Sequence, residues 1–235
     1  MSGARVPVLF EGGGVLAVDK PAGMLVIPGR SEDSAPSLRE VLEAELGRKV
    51  FVVHRLDRDT SGVVVFALTP EVHRTLSMAF EAGGVHKHYL ALVEGRLEAP
   101  VVVDAALAPA RKGRMRVARP GEEGKPSTTH LRPVEVFRSA SLVEAEPLTG
   151  RTHQIRVHLL SLGHPLLVDH QYGRDTPWTA RELGGEGEDV VLARTPLHAA
   201  RLEWPALPGV GARRLESPLP EDMARTVGLV RQGLR

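Results

Sequence analysis

The chain has 235 residues, 42% of them apolar, a formal net charge of +1 and no cysteine. This length and apolar content suffice to bury a hydrophobic core, and no stretch approaches the roughly 18 consecutive apolar residues that a membrane span needs. The lack of cysteine excludes disulfide bonds and thiolate zinc sites. The near-neutral charge argues against indiscriminate nucleic-acid binding. Because the first residues lack the apolar run of a signal peptide, we expect a soluble cytoplasmic protein with no membrane partner.

Two helices are predicted from the residues at their ends. The segment from Ser37 to Leu46 has amphipathic spacing and is followed by Gly47, which favours a helix that ends there. Thr69 followed by Pro70 is typical of a helix start, so a second helix is expected as far as Phe80. Runs of β-branched and aromatic residues predict strands over residues 50–53, 62–68, 89–93, 130–137 and 141–146.

A third helix is predicted to begin at a Thr152 cap and to end at Gly163. Arg156 would lie beside a core residue on this helix and could reach inward. The helix would bury Ile155, Leu159 and Leu162 on one face. Helices and strands are interleaved without a regular β-α-β repeat, so the predicted fold class is α+β, with a mixed and mostly antiparallel sheet.

The segment from His54 to Gly62 places a carboxylate among guanidinium groups. Asp57 lies between Arg55 and Arg58, and the segment leads into the apolar run 63–67. A carboxylate beside fixed positive charge stays ionised below its usual pKa and can act as a nucleophile or a base. Asp and Arg also alternate on solvated loops, where such pairs contribute little to stability. Asp57 is therefore the first candidate for a reacting group.

The same segment resembles the signature of the RluA-type pseudouridine synthases, which reads His-Arg-Leu-Asp, two variable residues, Thr-Ser-Gly and an apolar strand. Other segments of the chain resemble further motifs of that family and occur in the same order, so the match extends from about residue 14 to about residue 224. These motifs are Lys20-Pro21-Ala22-Gly23, the strand from Lys87 to Gly95, the segment from Gly150 to Leu159 followed by Gly163-His164-Pro165, and Leu197-His198-Ala199.

The resemblance implies a single catalytic domain built around an extended sheet, flanked by helices and crossed by a central cleft. We expect an N-terminal extension over residues 1–13 and the catalytic domain over residues 14–235. Because the chain begins almost at the opening motif, no N-terminal RNA-binding module of the S4 type is expected. The family usually has glycine at the position of Val168, which predicts strain there if the position requires a positive φ.

The resemblance also implies a reaction in which the N1–C1′ bond of a uridine breaks and C5 is joined to C1′, after the base has left its stack. Asp57 would be the essential carboxylate, either as a nucleophile at the ribose or as a base at C2′. Arg156 would pair with Asp57 and keep it ionised. Tyr89 would stack on the uracil and help to remove the C5 proton. Arg55 would hold the flipped nucleotide or fill the vacated stack, and Ile155 would form an apolar wall.

Further substrate contacts are predicted in and beyond these motifs. His54 and Arg151 belong to the same motifs and are candidates for substrate binding. Residues 111–119 contain five cations and no acid, a pattern that can neutralise RNA phosphates but is also found on solvated loops. The candidates in this run are Arg111, Lys112, Arg114 and Arg116.

The implied chemistry also predicts the partners. Because the isomerisation needs no oxidation, energy input or external water, neither a cofactor nor a metal is expected. The chain resembles the smaller members of the family that modify 23S ribosomal RNA, transfer RNA or both. RNA is therefore the expected partner, no obligatory protein partner is expected, and a monomer is the default.

Three other functions fit parts of the sequence. Residues 57–60 fit the Asp-x-Asp-x-Thr motif of magnesium-dependent phosphatases of the haloacid-dehalogenase type, but that motif should follow an apolar strand rather than precede one. Zinc hydrolysis would require histidines on one helix face, whereas His153 and His158 are five residues apart. A non-catalytic RNA-binding module is the third function, and the complete set of candidate catalytic residues argues against it.

Overall fold

The computed structural model describes residues 6–29 and 35–232. Within these ranges the fold is α+β with a largely antiparallel sheet, as predicted. None of the described helices is long and apolar enough to cross a membrane. In chain order the elements are β1 (Val8–Gly12), β2 (Val15–Lys20), α1 (Leu38–Leu46), β3 (Phe51–Val52), β4 (Ser61–Ala67), α2 (Pro70–Glu81), β5 (His86–Glu94), β6 (Val101–Asp104), β7 (Leu107–Pro109), β8 (Met115–Val117), β9 (Thr128–Val136), β10 (Ala140–Pro147), α3 (Gln154–Ser161), β11 (Trp178–Thr179), β12 (Val190–Leu192), β13 (Leu197–Trp204), β14 (Arg213–Glu216) and α4 (Glu221–Gln232).

The chain divides into two compact units. The first contains the described residues up to Lys87 together with Ala199–Pro218, and the second contains His88–His198 together with the described residues from Leu219 onward. Residues 1–5 of the predicted N-terminal extension lie outside the described ranges, while β1, within the same extension, pairs with β2. A domain boundary at residue 14 stays a prediction.

The first unit is organised around β4, whose seven residues are all buried. β2 and β3 pair with β4 in antiparallel register, β13 lies next to β4, and β14 pairs with β13. Gly62 has a φ of 111°, and a Cβ at this position would lie 2.3 Å from the carbonyl oxygen of Ala199. Only glycine fits such a conformation and such a close backbone approach, which explains the glycine of the signature.

The two early helices begin and end within one residue of their predicted bounds. Ser37 caps α1 in a capping box with Glu40, and Gly47 ends the helix with a φ of 62°. Thr69 caps α2 by accepting the N–H of Val72, with Pro70 in the first turn. Because these signals lie within a few residues of each helix end, they are readable without the tertiary structure.

The second unit is built on the antiparallel ladder β5–β10–β9–β6. Helix α3 packs Ile155 and Leu159 against the buried residues of β5 and β10. Helix α4 contributes to a further cluster, in which its buried residues are Met223, Val227 and Val230. A short antiparallel hairpin, β7–β8, holds the cationic run at its tip.

Two sequence predictions are corrected by the structure. Thr152 does not cap α3: the cap position is His153, which has a φ of 56° and makes no side-chain cap hydrogen bond. Val168 is fully buried and unstrained, because among the described residues only Lys112 and His153 combine a side chain with a positive φ. The chain therefore accommodates valine where the family that it resembles usually has glycine.

Candidate active site

Asp57 lies in the loop between β3 and β4, and this loop is fastened to the Lys20-Pro21-Ala22-Gly23 motif. The backbone N–H of Gly23 donates to the carbonyl of Arg58 at 2.9 Å, and Nε of Arg58 donates back to the carbonyl of Gly23 at 3.0 Å. The N–H of Thr60 donates to the carbonyl of Asp57 at 3.2 Å, which closes a turn directly before β4. The half-buried Asp57 is thus held on an ordered turn.

Lys20 joins the two segments from the inside. Its side chain is 0% exposed, and Nζ donates to the carbonyls of Pro21, Met24 and Arg58 at 2.9, 2.7 and 2.9 Å. An ammonium group has three donors, and a buried one is tolerated only when these donors find acceptors. Sequence reasoning recognised Lys20 as part of a motif but gave it no role. Its contacts make it the support of the Asp57 loop.

His54 supports the same loop from its other end. Nε2 of His54 accepts the backbone N–H of Val65 at 3.0 Å, and its ring stacks on Phe80 with centroids 4.6 Å apart. Burial, and secondarily the charge of Lys87, lower the pKa of His54 to about 3. The ring is therefore neutral at physiological pH, with its proton on Nδ1. The contacts shown are structural, and a role of His54 in substrate binding stays a prediction.

Arg156 extends from α3 into the interior of the second unit, where it is only 7% exposed. Its Nε and Nη2 donate to the two carboxylate oxygens of Asp169 at 2.8 and 2.7 Å, and Nη2 also donates to Gln171 at 3.1 Å. Asp169 is 1% exposed and accepts the backbone N–H groups of Gln171 and Tyr172. A buried pair of this kind requires such additional hydrogen bonds to balance desolvation.

Asp169 is a partner of Arg156 that sequence reasoning missed. The sequence shows that Asp169 is retained in the family pattern, but nothing in it indicates that residues 13 apart form a bidentate pair. The predicted pairing of Arg156 with Asp57 stays a prediction. The bidentate contact fixes the plane of the guanidinium group, which is a requirement for directional recognition of a second acceptor.

The turn before α3 is fixed by the buried amide of Gln154. Its Oε1 accepts from the hydroxyl of Thr149 and the N–H of Arg151, while its Nε2 donates to the carbonyl of Thr128 and the hydroxyl of Thr129. Nε of the exposed Arg151 donates to the carbonyl of Pro126 at 3.2 Å. This network fixes the turn, including the residues on either side of His153, whose backbone is in the left-handed conformation.

The remaining candidates occupy varied environments. Tyr89 is half-buried on β5, opposite Ala145 of β10, and packs against the same cluster as Ile155, which is 6% exposed. Arg55 is exposed on the Asp57 loop. The candidates of the first unit are His54, Arg55 and Asp57, whereas Tyr89, Arg151, Ile155, Arg156 and the cationic run belong to the second. Their assembly into one site stays a prediction.

The hairpin β7–β8, residues 107–117, carries four of the five cations of this run, and we call it the basic hairpin. Arg111, Lys112 and Arg114 at its tip are exposed, and among the described residues none of them has an ion-pair partner. Arg116 differs, because it forms a bidentate pair with Glu122 at 2.6 Å for both contacts. The hydrogen bonds of Arg116 lower the pKa of Glu122 to about 2, so the two charges compensate each other at neutral pH.

Comparison with known proteins gives one consistent result. The sequence profile of RNA pseudouridylate synthases matches residues 14–161. The chain is 41% identical over 237 residues to ribosomal large subunit pseudouridine synthase D of Nitrosomonas europaea, an alignment that covers 95% of this chain and 65% of that protein. It is 38% identical over 232 residues to ribosomal large subunit pseudouridine synthase C of Escherichia coli K12, covering 95% of this chain and 70% of that protein.

The fold is similar to that of a solved human protein, RNA pseudouridylate synthase domain containing 4. The TM-score is 0.75 at 26% sequence identity, and the superposition covers 96% of this chain and 93% of the human chain. The curated relatives are longer, so the chain spans roughly two thirds of their length. The profile match and the identities exceed what a shared fold alone would produce. The chain belongs to the RNA pseudouridylate synthase family, of the RluA type that its motifs resemble.

Proposed function

We propose that the protein isomerises specific uridines to pseudouridine in RNA, with large-subunit ribosomal RNA as its substrate. One observation carries this proposal: the turn that bears Asp57 contains the complete family signature, and hydrogen bonds from Lys20 and Gly23 fix that turn. The relatives are named for the large ribosomal subunit, which favours ribosomal RNA over transfer RNA. Both RNA classes were expected from the sequence, and the experiment below separates them.

In the proposed reaction Asp57 starts the chemistry on the sugar side, as a nucleophile at C1′ or as a base at C2′. The N1–C1′ bond breaks, the uracil rotates, C5 bonds to C1′ and the hydrogen on C5 leaves as a proton. N1, released from C1′, takes up a proton in turn, so substrate and product have the same composition. The reaction therefore balances without an oxidant, a reductant or a cofactor.

Arg156 is proposed to keep Asp57 ionised. The support for this role is its fixed guanidinium plane: with Nε and Nη2 held by Asp169 and Gln171, the group can direct positive charge at one position without losing side-chain entropy on binding. Tyr89 is proposed to stack on the flipped uracil, beside an apolar wall that includes Ile155. Arg55, exposed on the Asp57 loop, would hold the flipped nucleotide or fill the vacated stack.

The basic hairpin is proposed to bind RNA phosphates. Its three tip cations lack ion-pair partners among the described residues, so their charge is available to a ligand. Arg116 is less suited to that role than predicted, because Glu122 already engages its guanidinium. His54 and Arg151 would act through the backbone they hold rather than through direct contact with RNA.

The alternative functions gain no support from the comparisons. The phosphatase motif should lie at the end of a strand, whereas here the turn from Asp57 to Thr60 precedes β4. A non-catalytic RNA-binding module would not require a buried lysine that fixes the turn bearing Asp57.

We further propose that the protein acts as a monomer in the cytoplasm, where ribosomal RNA is present. Analytical ultracentrifugation tests the oligomeric state, and cell fractionation tests the location.

The experiment for this proposal is pseudouridine mapping. Ribosomal and transfer RNA from a strain that lacks the protein is compared with RNA from the parent strain, and the purified protein is then added to the unmodified RNA. We expect at least one large-subunit site to lose its pseudouridine and to regain it with the protein. Loss confined to transfer RNA would correct the substrate. Identical maps in both strains, with no modification in vitro, would refute the proposed function.

A further inference from the structure

One hydroxyl group connects the basic hairpin to the start of α3. The backbone N–H of Met115 donates to the hydroxyl of Tyr172 at 2.7 Å, and the same oxygen lies 2.7 Å from Nδ1 of His153. Met115 begins β8 of the hairpin, and His153 immediately precedes α3. Tyr172 follows α3 in a separate loop, so it holds two otherwise distinct segments of the second unit together.

The hairpin register explains why Met115 needs this partner. The N–H of Ala110 donates to the carbonyl of Arg114, and hydrogen-bonded and non-hydrogen-bonded pairs alternate along an antiparallel ladder. Met115 is paired with Pro109 in the next, non-hydrogen-bonded position, so its N–H points away from β7. The hydroxyl of Tyr172 supplies the acceptor outside the hairpin.

Tyr172 also contacts the Arg156–Asp169 pair. The guanidinium carbon of Arg156 lies 4.9 Å from the centroid of the tyrosine ring, and the N–H of Tyr172 donates to Asp169 at 3.1 Å. The ring of His153 meets the tyrosine ring edge-on, with centroids 5.5 Å apart. The residue that anchors the hairpin is therefore packed on the buried ion pair that fixes the plane of Arg156.

We propose that Tyr172 is a positioning residue: its hydroxyl anchors the basic hairpin to α3 and so sets where RNA phosphates held by the hairpin lie relative to Arg156. This inference rests on the proposed function, because it assumes that the hairpin binds RNA. β7 and β8 have only three residues each, and two-stranded hairpins of that size are marginal without additional support. The base of the hairpin is also held, because Leu107 exchanges two backbone hydrogen bonds with Lys125. Without the hydroxyl, the tip would keep its charges but lose its fixed position.

The substitution Tyr172→Phe tests the anchor because it keeps the ring over Arg156 and removes only the hydroxyl. We expect the affinity for RNA to fall about three- to tenfold, as for the loss of one hydrogen bond that orders a binding loop. The single-turnover rate at saturating RNA should fall less than the affinity does. The salt dependence of binding should become shallower, because fewer phosphates are contacted at once.

A double-mutant cycle tests the coupling between the anchor and the charges. The triple substitution Arg111→Gln, Lys112→Gln, Arg114→Gln is measured alone and together with Tyr172→Phe. If the hydroxyl positions the hairpin, neutralising the tip should cost much less affinity in the combined variant than by itself. Additive losses would show that Tyr172 acts independently of the hairpin, which would overturn the inference.

A matched control removes a similar hydrogen bond elsewhere in the second unit. Nε1 of Trp178 donates to the carbonyl of Leu167 at 2.7 Å, so Trp178→Phe also deletes one side-chain hydrogen bond to the backbone. We expect this variant to keep the affinity and the salt dependence of the parent protein. A loss equal to that of Tyr172→Phe would mean that lower stability alone explains both variants, and the inference would fail.

Amide hydrogen exchange gives a readout that needs no enzyme activity. In RNA-free protein the amide of Met115 should exchange markedly faster in Tyr172→Phe than in the parent, while strand amides of β9 and β10 should not change. Unchanged exchange at Met115 would overturn the inference even if the protein modifies RNA. Conversely, faster exchange in a protein that forms no pseudouridine would confirm the anchor and refute only the proposed function.

Discussion

Replacing Lys20 by methionine tests whether the buried ammonium supports the Asp57 turn. Methionine has a similar length but no donor, so it leaves the carbonyls of Pro21 and Met24 without the donor they have now. The carbonyl of Arg58 retains the N–H of Gly23. A hydrogen bond to a charged group contributes about 1.5–3 kcal/mol, so losing the bonds to Pro21 and Met24 costs about 4 kcal/mol. Because a buried charge is also removed, we expect a net loss of about 3 kcal/mol.

The assay is urea denaturation of Lys20→Met beside the parent protein, followed by thermal unfolding. A loss of about 3 kcal/mol corresponds to a melting temperature lower by about 10 °C in a chain of this size. The exposed Lys49, whose ammonium lies 5.0 Å from the ring of Phe51, provides the control Lys49→Met, which should change stability by less than about 0.5 kcal/mol. If Lys20→Met unfolds within 1 kcal/mol of the parent protein, the support assigned to Lys20 is wrong; this threshold is about the net value of one hydrogen bond.

Three further predictions concern acid stability, the buried ion pair and the reaction class. The folded pKa of His54 is about 3, below its usual value of 6.5, so the neutral ring stabilises the fold above pH 6.5. This contribution to the unfolding free energy is lost as the pH falls toward 3, by at most about 1.4 kcal/mol per pH unit. The unfolding free energy of His54→Gln should therefore depend less on pH than that of the parent protein, and equal pH profiles would contradict the assignment. Asp169→Asn should lower the unfolding free energy by about 3 kcal/mol and the single-turnover rate by more than about a hundredfold, whereas Asp222→Asn, at the more exposed bidentate pair with Arg194, should cost about 1 kcal/mol and leave the rate unchanged. RNA that carries 5-fluorouridine at the target should form a long-lived complex or a rearranged fluorinated nucleoside, and EDTA should affect neither, since a metal requirement would indicate different chemistry.

The two units show which features a sequence can reveal. α1 was predicted from its amphipathic spacing and from Gly47 at its end, and α2 from its cap Thr69 and from Pro70, all of them signals within or next to the helix. The start of α3 was predicted wrongly because its geometry depends on the distant hydroxyl of Tyr172 and on the amide of Gln154, not on a local cap. Helix ends that depend on neighbouring residues could therefore be predicted from the sequence, whereas a helix start that depends on long-range hydrogen bonds could not.

The candidate site divides in the same way. The motifs gave Asp57, Tyr89 and Arg156 as candidates, since residue type and order are properties of the chain, and their catalytic roles stay predictions. The bidentate partner Asp169 and the buried donor Lys20 were missed in those roles, because a lysine with 0% exposure cannot be distinguished in sequence from a surface lysine. Helix α4 and the strands outside the five predicted strand segments were also missed, because the strand character of such segments and the burial of α4 are set by tertiary pairing and packing. The missed strands are β1, β2, β6, β7, β8, β11, β12, β13 and β14.

Release of tritium from C5 of uridine tests the central claim most directly, because joining C5 to C1′ requires loss of that hydrogen. With large-subunit ribosomal RNA labelled at C5, the parent protein should release one tritium for each pseudouridine formed, without added metal. Asp57→Asn should bind the RNA and release none, since the amide keeps the shape and loses the charge, while Asp59→Asn should retain most of the activity. Turnover by Asp57→Asn, or tritium release without pseudouridine, would contradict the account.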